Sequence, residues 1–320
     1  MSNKPRIQDQ NELTPYYARY RESMCALDPT LSQSLKARQM TRVDRFLDLS
    51  QQFDLILFDA FGVLNRGPGA IPGASESLAQ LQKNGKPFLV VSNNASQAPL
   101  RLEKKYSGLG FSLPAEMIIT SGMAVKPYVA TSPYRDKPYF LVGSPDSRDA
   151  YGPDATHLMV NHPDSSRSLT EAEYILFCSN RDYYGKDQEQ QLESLLAEKK
   201  CPILLANPDL VAPNSADGIE VVAGYTAACL VDRFDLPLIG LGKPFSPIYQ
   251  LALEHTPGFS PKRTLMVGDT LDTDILGGAA MGFATCLTLS GVYAGQEDQL
   301  EALCGIRGIR PDYVVASIAP

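Results

Sequence analysis

An α/β fold is predicted, with a doubly wound, Rossmann-like parallel-sheet core and a second α/β domain inserted into it. Three observations predict it. Short continuous apolar runs, such as Leu55-Ile56-Leu57-Phe58 and Phe88-Leu89-Val90-Val91, suit strands buried on both faces. Stretches of helical spacing alternate with such runs near both ends of the chain. The middle, about residues 133–236, is richer in Pro, Ser and Asp yet has strand-like runs of its own.

Residues 1–50 are polar and mixed in charge, with apolar patches at Tyr16–Tyr17 and around Phe46, and are expected to form a helical extension. Thr41-x-x-Asp44 before Phe46 and Leu47 suggests a helix start. The doubly wound core is expected from residues 51–132 and 237–320. After the first strand, Ala74, Leu78 and Leu81 recur at helical spacing, and Gly85 can end that helix in the left-handed conformation. Late in the chain, strands are expected at 238–241, 264–267, 285–289 and 313–316, with helices at 247–255 and 274–281. The inserted domain, 133–236, has strand candidates at 138–142 and 203–206. Ligands of such sheets bind beyond the carboxyl ends of the strands.

Composition narrows the function classes. Of 320 residues, 44% are apolar and 20% charged, ordinary for a globular protein, and the formal charge of −7 offers no basic field for a nucleic acid backbone. No apolar run approaches the ~20 residues that span a bilayer, and no secretory signal is visible, so no membrane association is expected. Cys25, Cys178, Cys201, Cys229, Cys286 and Cys304 are scattered without a CxxC pair, which suits reduced thiols in the cytoplasm. His157, His162 and His255 lack zinc-ligand spacing.

Four segments place polar residues directly after a strand-like run. Asp59-Ala60-Phe61-Gly62 puts a carboxylate at a strand end, where Gly62 suits a tight turn. Ser92-Asn93-Asn94 offers a hydroxyl and backbone amides, the makings of a phosphate cradle. Gly242-Lys243-Pro244 offers an amine, but its surroundings match neither the P-loop nor the dinucleotide pattern, because Pro237, Pro244 and Phe245 occupy required positions. Asp269, Asp272 and Asp274 follow a fourth run and suit a hard cation such as Mg²⁺. Taken singly, Asp59 could equally cap a turn, Ser92 and Asn93 are common turn residues, and Lys243 could be a solvated lysine; a helix cap would explain Asp272 but not all three aspartates together.

In this order and spacing the four segments resemble the signature motifs of the haloacid dehalogenase superfamily. The flanks Pro72-Gly73-Ala74, Ile119-Thr120-Ser121 and Ala206-Asn207-Pro208-Asp209 narrow the likeness to its class IIA branch of sugar-phosphate, p-nitrophenyl and pyridoxal phosphatases. The resemblance covers about residues 53–317. It implies a Mg²⁺-dependent phosphatase of a small phosphorylated metabolite, with Asp59 as nucleophile and an aspartyl-phosphate intermediate. Mg²⁺ would be held by Asp59, Asp269 and the backbone carbonyl of Phe61. Ala60, Phe61, Ser92, Asn93 and Lys243 would bind the phosphoryl group, and Asp274 would orient Lys243 or a water. The insertion would be a cap with Asn207, Pro208 and Asp209 near its specificity loop, and homodimers through the cap occur in this branch.

One position departs from the pattern. The residue two after the nucleophile is usually a second aspartate serving as general acid and base; here it is Phe61. Losing such a group costs about 10²–10⁴-fold in rate, so a slow phosphatase is expected. A non-catalytic binder of a phosphorylated ligand is the alternative that Phe61 favours. Asp59-Ala60-Phe61-Gly62 also resembles the Asp-Ala-Tyr-Gly of 2-haloacid dehalogenases, but those act without metal, and the chain between Asp59 and Ser92 is too short for their cap. Arg181, Tyr183 and Tyr184 fall in the expected cap, where they could contact a leaving group, although packing is the expected role, and Lys104 and Lys105 are expected on a solvated helix face.

Overall fold

The apolar runs become the centre of a seven-stranded sheet. The computed structural model describes residues 5, 7, 10–28, 30–153, 156–213 and 219–320. In chain order the large sheet contains β1 (Thr41–Arg42), β2 (Leu55–Phe58), β3 (Phe88–Ser92) and β4 (Ile118–Thr120). The smaller sheet follows with β5 (Tyr139–Val142), β6 (Tyr174–Phe177), β7 (Ile203–Leu205) and β8 (Leu238–Gly240). The large sheet resumes with β9 (Thr264–Gly268), β10 (Ala284–Thr288) and β11 (Tyr313–Val315). Its order is β1-β11-β10-β9-β2-β3-β4, and the smaller sheet's is β8-β7-β6-β5. Every pairing in both sheets is parallel. The α/β, Rossmann-like expectation thus describes the molecule, and β2, β3 and β9 are apolar and buried because helices cover both faces.

Three local expectations are corrected. The run at 238–241 does form a strand, but β8 pairs with β7 in the smaller sheet, so that sheet extends past the expected boundary at 237. The helix expected around Phe46 and Leu47 does form, at Phe46–Ser50, but Thr41 does not begin it: the amides of Thr41 and Val43 donate to the carbonyls of Asp312 and Val314, and this pairing makes β1 the edge strand of the large sheet. The helix expected at 274–281 begins instead as a π-helical turn, Leu271–Ile275, followed by Leu276–Ala280. Such turns often lie at functional sites.

The N-terminal extension spans the two sheets. Helix α1 (Thr14–Leu27) packs Tyr17 and Tyr20 into the core of the smaller sheet. Its end, Met24, together with Leu31 and Leu35 of α2 (Leu31–Ala37), packs against Ile275 and Leu276 beside the large sheet. All six cysteines are free, and among the described residues no helix is long and apolar enough to cross a membrane.

Candidate active site

Neighbouring strands β2, β3 and β9 end side by side, so the residues that follow them share one rim of the sheet. Asp59 continues the pairing by one residue, its amide donating to the carbonyl of Val267 at 2.8 Å. Gly62 then turns the chain at φ +79°, and a Cβ there would lie 1.9 Å from Oδ2 of Asp269. The close approach of this turn to the β9 carboxylate therefore requires glycine.

Lys243 reaches the same place from the other sheet. It follows β8, and its main chain is clamped by the side chain of Asn93. Oδ1 of Asn93 accepts from Lys243 N at 2.7 Å, and Nδ2 donates to Lys243 O at 2.9 Å. The Lys243 ammonium is 1% exposed and donates to Oδ1 of Asp59 at 2.5 Å and to Oδ1 of Asp274 at 2.7 Å. Asp274 is fixed in turn by the amide of Thr270, which donates to its Oδ2. Asp269 accepts from the Thr270 hydroxyl and from the amide of Val292. Asp272, though buried, faces Arg307 at 3.6 Å and is separate from the cluster.

One ammonium among three buried carboxylates leaves negative charge uncompensated. Carboxylate oxygens of Asp59, Asp269 and Asp274 lie within 4.8 Å of one another. Burial opposes the charge on Lys243, yet Asp274 and Asp59 outweigh it and hold the ammonium protonated. Burial pushes Asp59 up, against the pull of Lys243, and pushes Asp269 to about 7 with the help of Asp274. A divalent cation is what such an oxygen-rich, doubly anionic cluster fits, because it restores charge balance without a further protein group.

A cavity of about 610 Å³ opens over this cluster, lined by Asp59, Phe61, Ser92, Asn93 and Asp269 from the large-sheet side. Ser92 is buried, and its hydroxyl accepts from the amide of Asn94. Ala60 is buried beneath the turn, its carbonyl accepting from Leu64 and Asn65. Asn207 and Asp209 line the opposite side. Oδ1 of Asp209 accepts from Asn93 at 2.8 Å, and burial raises its carboxyl to about 6 against the pull of Lys243. Pro208 is not among the lining residues; its carbonyl faces α1 and accepts from the Tyr20 hydroxyl at 2.9 Å. The turn Asn207-Pro208-Asp209 therefore presents its first and third residues to the cavity and its second to the N-terminal helix.

Two stretches of the chain, which between them hold most of the large sheet, match known families. Residues 56–152 match the family described as haloacid dehalogenase-like hydrolase, and residues 240–320 match a second described as HAD-hydrolase-like. The chain is 31% identical over 287 residues to glycerol-3-phosphate phosphatase of Gallus gallus, covering 83% of this chain and 90% of the relative. The chain belongs to the haloacid dehalogenase-like hydrolases. It is also 29% identical to chronophin of Homo sapiens over 82% of this chain and 90% of the relative. A possible sugar phosphatase of this superfamily from Cytophaga hutchinsonii superposes with a TM-score of 0.75 at 27% identity, covering 88% of this chain and 99% of that one. These relatives agree with the class IIA likeness of the motif flanks.

The cap residues weighed for leaving-group contact divide, and one lining residue escapes sequence reasoning altogether. Arg181 and Tyr184 line the cavity, whereas Tyr183 packs in the core of the smaller sheet. Lys104 is exposed as expected, but Lys105 is half-buried and lines the cavity, its Nζ 4.3 Å from the centre of the Phe61 ring. Burial pushes the Lys105 ammonium down to about 8. The available signal was spacing: Lys105 lies three residues after Leu102 and one before Tyr106, both buried, so it flanks the apolar stripe of its helix.

Proposed function

We propose that this hydrolase is a Mg²⁺-dependent phosphatase of a small phosphorylated metabolite, acting in the cytoplasm through an aspartyl-phosphate on Asp59. The observation that carries the reading is the bond from the buried Lys243 ammonium to Asp59 and Asp274, with Asp269 in the same carboxylate cluster. The phosphatases named among the relatives support it. Six free cysteines suit a reducing compartment.

In this reading Asp59 attacks phosphorus as the bond to the leaving oxygen breaks, and the electron pair departs with that oxygen. Lys243 orients Asp59 and offers positive charge to the phosphoryl oxygens, while Ser92 and the backbone at Asn93 bind the same group. Asp59, Asp269 and the carbonyl of Phe61 would hold Mg²⁺, which when bound neutralises phosphoryl charge. Phe61 has no proton to give, so the leaving oxygen takes one from solvent and esters of acidic alcohols react fastest. Water then attacks the aspartyl-phosphate, releasing phosphate and restoring the Asp59 carboxylate. The inserted residues act as a lid that excludes bulk water and selects the leaving group.

Phosphate release from a panel of esters with Mg²⁺ tests this. It is expected to vanish in Asp59→Asn and on chelation, and Asp269→Asn is expected to abolish the thermal shift that Mg²⁺ produces. Equal turnover by wild type and Asp59→Asn rejects the reading. Phe61 also favours a second reading, a binder of phosphorylated ligands, which predicts thermal stabilisation by such ligands without turnover.

A further inference from the structure

Lys105 is a cation lining the site, and among the described residues it has no carboxylate partner. It lines the same cavity as Asp59, Phe61 and Ser92. Its Nζ lies over two aromatic rings, 4.3 Å from the centre of Phe61 and 5.2 Å from that of Tyr106. Among the described residues that line the cavity, the carboxylates are engaged elsewhere: Asp59 with Lys243, Asp269 with Thr270 and Val292, and Asp209 with Asn93, while Glu220, on the side of the smaller sheet, has an interaction of its own. A partly buried ammonium held only by ring faces has lost hydration without gaining an anionic partner. Across the cavity, Arg181 is a second lining cation, and it too forms no ion pair among the described residues.

The position of the charge gives it a use. Lys105 rests on the side chain at position 61, two residues past Asp59, where the family pattern puts the group that meets the leaving oxygen. A phenyl ring can offer that half of the substrate only contact, so any polar recognition there must come from a neighbour, and Lys105 is the cation touching the ring.

We propose that Lys105 binds an anionic group on the leaving half of the substrate, so that the preferred substrates are phosphate monoesters whose alcohol carries a carboxylate or a second phosphate. This rests on the phosphatase reading and narrows its substrate class. It also accounts for a lysine kept in a half-buried, aromatic setting, because the substrate supplies the counter-charge. A charge-assisted hydrogen bond of this kind corresponds to about a 10- to 100-fold preference.

A matched pair of primary alkyl phosphates tests it: 3-phosphoglycerate carries a carboxylate where glycerol 3-phosphate carries a hydroxymethyl group. Wild type is expected to favour the carboxylate-bearing ester in kcat/KM by about 10- to 100-fold. Lys105→Met should bring the ratio close to one, and Lys105→Arg should keep most of it. The same ratio is read from dissociation constants in the Asp59→Asn background, by calorimetry, so that binding is measured whether or not turnover occurs. A ratio in Lys105→Met equal to that of wild type overturns the proposal, as does an Asp59→Asn protein that binds the two esters equally. Failure of the phosphatase reading appears separately, as turnover that Asp59→Asn leaves unchanged.

Discussion

At the residue scale the site depends on side chains that are absent as much as on those present. Cβ atoms at Gly62 and Gly291 would each lie 1.9 Å from Oδ2 of Asp269, so the loops after β2 and β10 close on that carboxylate only because both residues are glycine. Gly62→Ala adds a left-handed-region cost of about 1–2 kcal/mol to an overpacking cost of about 1–3 kcal/mol. It is expected to lower the urea midpoint accordingly and to weaken Mg²⁺-dependent thermal stabilisation, because Asp269 must move. Phe61 is the opposite case, a side chain present where a proton carrier is wanted. Phe61→Asp is expected to raise kcat for alkyl esters by tenfold or more and to raise it less for aryl esters, whose leaving groups need no acid. Steady-state kinetics on one ester of each kind read the difference. Asp59, Lys243 and Asp269 were legible because each follows a short strand within a known motif spacing. Lys105 was not: a lysine beside another lysine on a helix looks solvated until the ring beneath it is known.

Elements were legible where their signal is local. The buried strands appeared as apolar runs, and the helix Ala74–Lys83 appeared through its periodicity, with Gly85 left-handed at φ +64° beyond its end. Pairing partners are nonlocal, which is why β8 looked like a large-sheet strand and why Thr41 looked like a helix cap. The bridging role of α1 was hidden for the same reason. Its tyrosines meet partners about two hundred positions away: Tyr20 packs edge-on against Phe245 at 5.4 Å, and its hydroxyl donates to the carbonyl of Pro208. That bond fixes the turn whose flanking residues, Asn207 and Asp209, line the cavity. Tyr20→Phe keeps the ring and leaves a buried carbonyl unpaired, so a loss of about 1–3 kcal/mol is expected. Urea denaturation followed by far-UV circular dichroism measures it. Since the turn touches the cavity, KM is expected to rise more than kcat falls.

Across the whole molecule, two parallel sheets meet where their strand ends face one cavity, and the meeting concentrates carboxylates that folding must desolvate. Asp209 exemplifies the cost. Burial raises its carboxyl from 3.8 to about 6, the pull of Lys243 and the Asn93 hydrogen bond notwithstanding. The folded chain therefore holds this proton more tightly than the unfolded chain does. The stability contributed by protonated Asp209 is complete below pH 3.8 and is lost as pH rises through about 6. At neutral pH the ionised group costs up to about 3 kcal/mol, at ~1.4 kcal/mol per tenfold change in proton affinity. Asp209→Asn keeps an oxygen that can accept from Asn93 and removes the charge. The variant is expected to unfold at a higher temperature than wild type at pH 7, and at nearly the same temperature at pH 4. Thermal melts across that range decide it, since a carboxylate that instead stabilised the fold would make the variant melt lower at pH 7. A gain in stability obtained by removing a carboxylate from the cavity wall would mark Asp209 as a group retained for what it contacts there, at the expense of the fold.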